Sequence, residues 1–233
     1  MNKQEWANKI YKWINSWPRK VIYPEIHGKK IIVNPGVFPP LFDTPYYAEI
    51  VLKYVEKIIQ QKGFCRFFEM GAGSGAISIL VADMGANVTA VEISDVGIMT
   101  IKVNSELHNL DIKIIQSDVW DDVSSGEWDL IFWNFPHNAL APDADINDEK
   151  YKASFDLGYQ DLKKFIQGSP MRLPNDGIVL LGAGKDICDL ELAKKICTPY
   201  FNFQISNEMQ IPFGNLLWNL LVIELTKKSG GKS

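Results

Sequence analysis

The stretch from Phe64 to Gly75 constrains this chain more than any other. Phe64 to Met70 is a short apolar run of strand character that passes straight into Gly71-Ala72-Gly73-Ser74-Gly75, and Ala76 to Met84 then shows helical periodicity. In a strand, glycine turn, helix unit the backbone bends sharply at residues without a Cβ, and the helix N-terminus points at whatever lies beyond the strand. The alternation continues in both directions. Helices are expected at Tyr46 to Gln61, Ile98 to Asn109, Tyr159 to Gln167 and Asp189 to Thr198. Strands are expected at Asn87 to Ile93, Asp111 to Gln116, Trp128 to Trp133 and Ile178 to Gly182. Two final strands, Tyr200 to Ser206 and Leu216 to Leu225, are separated by Pro212 and Gly214, and this short connection predicts that the last one is antiparallel. The expected fold is therefore α/β: a seven-stranded, mostly parallel sheet wrapped by helices.

Ahead of this domain, Trp6, Ile10, Trp13, Ile14 and Trp17 form one apolar stripe at helical spacing over Gln4 to Trp17, ended by Pro18. Val21 to Val33 reads as a short strand pair turning at His27-Gly28. The organisation expected is an N-terminal helical cap over 1–36, the main domain over 37–226 and a disordered Lys, Ser and Gly tail over 227–233. The cap is read first as a cover for core, with a substrate-gripping cap as the alternative.

Three cysteines, Cys65, Cys188 and Cys197, are widely spaced among apolar neighbours, which suits buried thiols rather than a disulfide, and no metal site is expected. No apolar run of membrane-spanning length and no leader pattern occurs, so a cytoplasmic protein without a membrane partner is expected. The net charge of −4 lacks the basic footprint of a protein that grips a phosphate backbone. Nucleic acid is thus disfavoured as a partner. The basic residues Lys9, Lys12, Arg19, Lys20, Lys29 and Lys30 read as a solvated face.

Acidic residues follow three successive strands. Glu69 stands two residues before Gly71, where it suits an ammonium group and would repel a pyrophosphate. Glu92 closes the next strand, 17 residues after Gly75, in a place where a carboxylate can accept both hydroxyls of a ribose. Asp118 follows the third, positioned for an adenine amino group, with Val119 or Trp120 to pack on the ring. Ligands of open α/β sheets bind outside the carboxyl ends of the strands, so these residues converge on one crevice.

Taken together the motifs resemble the class I S-adenosylmethionine-dependent methyltransferases, and within them the HemK-like glutamine amide methyltransferases. Phe68-Glu69-Met70-Gly71-Ala72-Gly73-Ser74-Gly75-Ala76-Ile77 is similar to that family's glycine motif. Val37-Phe38-Pro39-Pro40-Leu41-Phe42-Asp43-Thr44 is similar to its Pro, two residues, Asp-Thr segment beside the cofactor, and Asp156-Leu157-Gly158-Tyr159 to its pattern before the fifth strand. The similarity spans about residues 36 to 225. It implies S-adenosyl-L-methionine as cofactor, held by Thr44, Glu69, Gly71, Gly73, Gly75, Glu92, Asp118, Val119 and Asn134.

The family's reaction motif, Asn-Pro-Pro followed by Tyr or Phe, is represented here by Asn134-Phe135-Pro136-His137. The resemblance makes these four the catalytic candidates: the Asn134 side-chain oxygen and the Phe135 carbonyl accept from a substrate NH2. His137 replaces the stacking aromatic and reads as a base, a stacking group or a structural histidine. The loop Ala139 to Lys152, with Asp143, Asp145, Asp148 and Glu149, reads as an acidic lid favouring neutral polar or cationic substrates.

The function expected is N-methylation of an amino, amide or guanidino nitrogen on a small molecule or an exposed side chain. The alternatives are a nucleobase, a release-factor-type protein substrate, and a partner-binding subunit without activity. The residues before Val37 are too few for that family's larger N-terminal helical domain, which weighs against the release-factor alternative. A nicotinamide-dependent oxidoreductase would share the fold but is disfavoured by the G-x-G-x-G spacing and by Glu69. The oligomeric state is not legible.

Overall fold

The computed structural model describes residues 1–213 and 216–228. In chain order its elements are α1 (Lys3–Ile14), β1 (Glu25–Ile26), β2 (Lys29–Lys30), α2 (Thr44–Lys62), β3 (Arg66–Met70) and α3 (Ala76–Asp83). They continue with β4 (Asn87–Glu92), α4 (Asp95–Leu107), β5 (Ile112–Gln116), β6 (Leu130–Asn134), α5 (Gln160–Gly168), β7 (Ile178–Gly184), α6 (Leu190–Cys197), β8 (Phe201–Phe213) and β9 (Leu216–Lys227).

Seven strands make one sheet in the order β5-β4-β3-β6-β7-β9-β8. The strands β3 to β7 run parallel, and β9 is antiparallel to both of its neighbours. Strand order reverses beside β3, so the loops after β3, β4 and β6 open a crevice at the carboxyl ends of the central strands. Both faces of the sheet are covered. Phe67, Leu130, Phe132 and Leu180 face α2 and α3, while Phe68, Ile131, Val179 and Leu181 face α5 and α6.

The opposite end of the sheet is fastened by one buried acid. The Asp129 carboxylate, whose side chain is 1% exposed, accepts from the Arg66 backbone N–H at 2.9 Å, from Arg66 Nε and Nη2 at 3.0 Å each, and from Lys62 Nζ at 3.0 Å. These bonds tie the starts of β3 and β6 to the end of α2. They also hold the carboxyl well below its usual range, at about 2, against the cost of burial.

Two expectations are corrected, and the strand pair turning at His27-Gly28 is borne out in short form. The first helix stops at Ile14 rather than Trp17, because the chain turns at Asn15, whose backbone N–H reaches back to the Tyr11 and Trp13 carbonyls. The segment 21–33 is a minimal hairpin: two residue pairs flank His27-Gly28, and Ile22 and Val33 bridge behind them. Pro212 does not separate the last two strands. It lies within β8 opposite Leu217, in an edge strand, where a residue without an N–H is tolerated. Cys65, Cys188 and Cys197 are buried free thiols. No helix among the described residues is long and apolar enough to cross a membrane. Residues 214–215 and the tail beyond 228 lie outside the described residues.

Candidate active site

A cleft of about 290 Å³ opens at the carboxyl ends of β3, β4 and β6. Thr44, Glu69, Gly71, Gly73, Glu92, Asp118, Val119 and Asn134 to His137 all line it. Gly75 does not; it starts α3 in a left-handed conformation, with Ile101 packed where a side chain would project.

The glycine turn is held from the next strand. Glu92 Oε2 accepts from the Gly73 N–H at 2.8 Å, and Oε1 accepts from Ile93 and Ser94 at 2.9 and 3.0 Å. A carboxylate offers about four acceptor positions. Three are filled by backbone, so Glu92 in this conformation has room for one more hydroxyl rather than the two a ribose presents. Gly71 has φ +59°, and a Cβ there would stand 3.0 Å from Trp133 Nε1, so the turn lies flat against that indole.

Glu69 is 5% exposed, and its Oε2 accepts from both the backbone N–H of Ser78 at 2.9 Å and the Ser78 hydroxyl at 2.5 Å. Burial dominates over these bonds and pushes the carboxyl up to about 8. The third acid is more open. Asp118 Oδ1 lies 3.7 Å from Lys164 Nζ, which bonds more closely to Asp121 at 2.6 Å. Val119 has φ +53°, a strained conformation for a β-branched residue, and the Ser117 hydroxyl fixes it by donating to the Val119 carbonyl at 3.0 Å. Trp120 is turned away from the cleft. It stacks on Phe165 at 5.3 Å, lies under the Arg172 guanidinium and donates to the Phe165 carbonyl, so only Val119 remains to meet a ring.

Across the cleft, the buried polar groups are arranged differently. Asn134 Nδ2 donates to Asp43 Oδ2 at 2.9 Å, whereas Asn134 Oδ1 is buried with no partner among the described residues. Asp43 is 1% exposed, and burial raises its carboxyl above the ordinary range despite the Asn134 bond. It entered the sequence reading only as part of a motif; its proximity to Asn134 had no local signature. His137 is 8% exposed, packs edge-on against Phe135 and Trp218, and leaves Nδ1 buried without a partner among the described residues. Burial pushes its imidazole down to about 4, so the ring is neutral near pH 7 and is a weak base. The loop around it is fixed by Tyr159, whose hydroxyl donates to the His137 carbonyl at 2.7 Å and accepts from the Asp189 N–H at 2.8 Å.

The cap reaches the site. Ile10 and Trp13 of α1 line the cleft, and Trp13 meets Phe38 and Phe42 edge-on. Helix α1 also carries the loop after β6: Gln4 and Asn8 donate to Asp143 at 3.1 and 2.6 Å, and Tyr11 stacks on Tyr151 at 5.1 Å. The lid is not simply acidic at the cleft, because Lys150 and Lys152 line it together with Asp148.

An open α/β sheet with β9 reversed, a glycine turn bound to the acid after β4 and an Asn-Phe-Pro-His segment after β6 define a class I methyltransferase. The methyltransferase small domain profile matches residues 31–154, just over half of the chain, and the chain belongs to that family in its HemK-like branch. It is 28% identical over 197 residues to a Methanocaldococcus jannaschii protein provisionally named a protein N5-glutamine methyltransferase, covering 83% of this chain and 95% of that one. It is 29% identical to the release factor glutamine methyltransferase of Neisseria gonorrhoeae, covering 70% of this chain and 61% of that one. Among solved structures, the Pyrococcus abyssi tRNA (uracil-54, C5)-methyltransferase in complex with S-adenosyl-L-homocysteine superposes with a TM-score of 0.54 at 14% identity, over 89% of this chain and 44% of that one. The protein is an S-adenosylmethionine-dependent methyltransferase of the HemK type.

Proposed function

We propose that this methyltransferase acts on the side-chain amide nitrogen of a glutamine in a protein substrate. The observation that carries the reading is the buried, unpartnered Oδ1 of Asn134. An orphaned acceptor costs about 1–3 kcal/mol, and a substrate N–H in the cleft would recover that. The names of the M. jannaschii and N. gonorrhoeae relatives support glutamine as the acceptor. The small-molecule acceptor admitted by the sequence has no comparable support.

The donor set fits S-adenosylmethionine. Three acidic residues, Glu69, Glu92 and Asp118, suit an ammonium, a ribose hydroxyl and an adenine amine, and an ammonium beside Glu69 would favour its charged form, which burial otherwise disfavours. Thr44 and the Gly71 to Gly75 turn would frame the amino-acid end, and Val119 would pack on the adenine. When bound, this cofactor supplies a methyl group on a sulfonium centre that leaves as a neutral thioether.

The protein's share of the chemistry is chiefly positional. Asn134 Oδ1 and the Phe135 carbonyl would accept the two N–H bonds of the substrate amide, fixing its plane and directing the nitrogen lone pair. Pro136 narrows the backbone conformations open to Phe135 before it, and His137 walls the pocket as a neutral ring. The nitrogen sheds its extra proton after transfer, so no strong base is required beforehand.

The test is label transfer. Tritiated S-adenosylmethionine is incubated with the chain and a protein extract, and the labelled product is hydrolysed in acid. A methylated glutamine amide releases its label as methylamine, and that outcome is expected. Label retained on nucleic acid or on a low-molecular-weight product would overturn the glutamine reading. Failure to bind either adenosyl ligand would overturn the cofactor assignment.

A further inference from the structure

Asp43 enters the cleft from the turn before α2 and Asn134 from the end of β6, and they meet although 91 residues apart in the chain. An asparagine amide is nearly symmetric in shape, so a half-turn of its side chain exchanges oxygen for NH2 and only its partners decide which end faces where. Here one partner decides. Both Asp43 oxygens act as acceptors, Oδ2 from Asn134 Nδ2 at 2.9 Å and Oδ1 from the Thr44 hydroxyl at 3.3 Å. The reversed amide would set its oxygen against the carboxylate.

Two further observations agree. Asp43 stands at the N-cap position of α2, yet its side chain makes no capping hydrogen bond, and the carboxylate is instead held by Asn134, by Thr44 and by its own backbone. Gly182, beside Asn134 in the sheet, leaves room for the free oxygen: a Cβ there would lie 3.0 Å from Asn134 Oδ1. No ion pair joins Asp43 to a lysine or arginine among the described residues, so the carboxylate is not held there by a cation.

We propose that Asp43 is a positioning residue that sets the hydrogen-bond polarity of Asn134, holding the NH2 and keeping Oδ1 as the free acceptor of this cleft-lining residue, and so selecting substrates that present N–H over those that present only an acceptor. This rests on the reading of Asn134 as the anchor of the substrate nitrogen. Asp43 acts through the Asn134 amide.

The experiment compares Asp43→Leu, Asp43→Asn and the reversed pair Asp43→Asn with Asn134→Asp, using acetyl-Ala-Gln-Ala amide as the methyl acceptor and S-adenosylhomocysteine as the binding probe. The Leu variant should lose about 100-fold in kcat with S-adenosylhomocysteine affinity within about two-fold of the parent. Asp43→Asn should fall between the two, because an amide at 43 supports either orientation. The reversed pair restores an acceptor oxygen at the cleft with the same total charge and should return to within about ten-fold of the parent. A Leu variant within about three-fold of the parent, or a reversed pair no better than the Leu variant, would overturn the proposal.

If the parent binds S-adenosylhomocysteine but methylates neither the peptide nor glutamine in a protein extract, the substrate reading fails by itself. Asp43 is then judged from the Asn134 side-chain NH2 in nitrogen-15 spectra. Slow proton exchange that is lost in Asp43→Leu supports the assignment, and exchange unchanged by the substitution refutes it.

Discussion

Two buried aspartates, at opposite ends of the same sheet, have opposite electrostatic surroundings. Asp129, where β3 and β6 begin, gathers Arg66 and Lys62 and is held far below the usual carboxylate range. Asp43, beyond the end of β6, meets an amide and a hydroxyl, and burial raises it instead. Residue type and exposure are the same, so the partners make the difference. A charge-paired aspartate fastens strands, whereas one without a cation orients a neighbour whose other end is left unsatisfied. At a residue that lines the cleft, as Asn134 does, hydrogen-bonding capacity left over marks a place for a ligand.

The sharpest break in that contrast would come from Asn134→Ala. Methyl transfer should fall by about 10²–10³-fold, as for loss of one preorganised polar contact in a closed site, while S-adenosylhomocysteine affinity and thermal stability stay near the parent's. Unchanged turnover would remove Asn134 from the chemistry. Asp129→Asn should do the reverse, lowering unfolding free energy in urea by about 2–4 kcal/mol, because Arg66 and Lys62 lose their partner, with little change in ligand affinity. Equal losses in both assays would erase the division between the two ends.

A smaller effect is expected at the glycine turn. Glu92→Ala frees three backbone N–H groups and one ligand position, and S-adenosylmethionine affinity by calorimetry should weaken by about 10–100-fold. The smallest effect concerns pH. His137 sits near 4 in the fold against an ordinary 6.5, so the folded chain resists a proton that the unfolded chain accepts. Its contribution to stability is present above pH 6.5 and is lost as pH falls toward 4. Asp129, at about 2, adds a second loss between pH 4 and 2. Glu69, near 8 in the fold, adds an opposite slope that lowers stability as pH rises from 4.5 to 8, so the test is the difference: His137→Phe should remove the His137 loss between pH 6.5 and 4 relative to the parent, and identical pH slopes in the two would contradict the buried neutral ring.

Much of this architecture was legible in the sequence because the signals are local. Strand and helix periods are set by neighbouring residues, and the turn from Met70 into Gly71-Ala72-Gly73 announces itself by the absence of Cβ atoms. An acid at the end of each of three strands needs only the strand assignment to be placed at the crevice, and Glu69, Glu92 and Asp118 all line it. The element ends were less legible. The hydrophobic stripe of the first helix runs on to Trp17, but the backbone turns at Asn15 for reasons of capping that the stripe does not encode.

What tertiary structure alone decided are relations between distant residues. Sequence could nominate Val119 and Trp120 equally for an aromatic ligand; packing on Phe165 under Arg172 takes Trp120 into the core. It could offer His137 as base, stack or scaffold; burial beside Phe135 and Trp218 lowers its proton affinity and leaves a weak base. It could read α1 as a cover; Ile10 and Trp13 make it part of the cleft wall. Above all, the orientation of the Asn134 amide depends on a carboxylate 91 residues away. Periodicity and turn chemistry act over a few bonds and can be read along the chain, whereas burial, proton affinity and hydrogen-bond polarity depend on neighbours that only folding supplies.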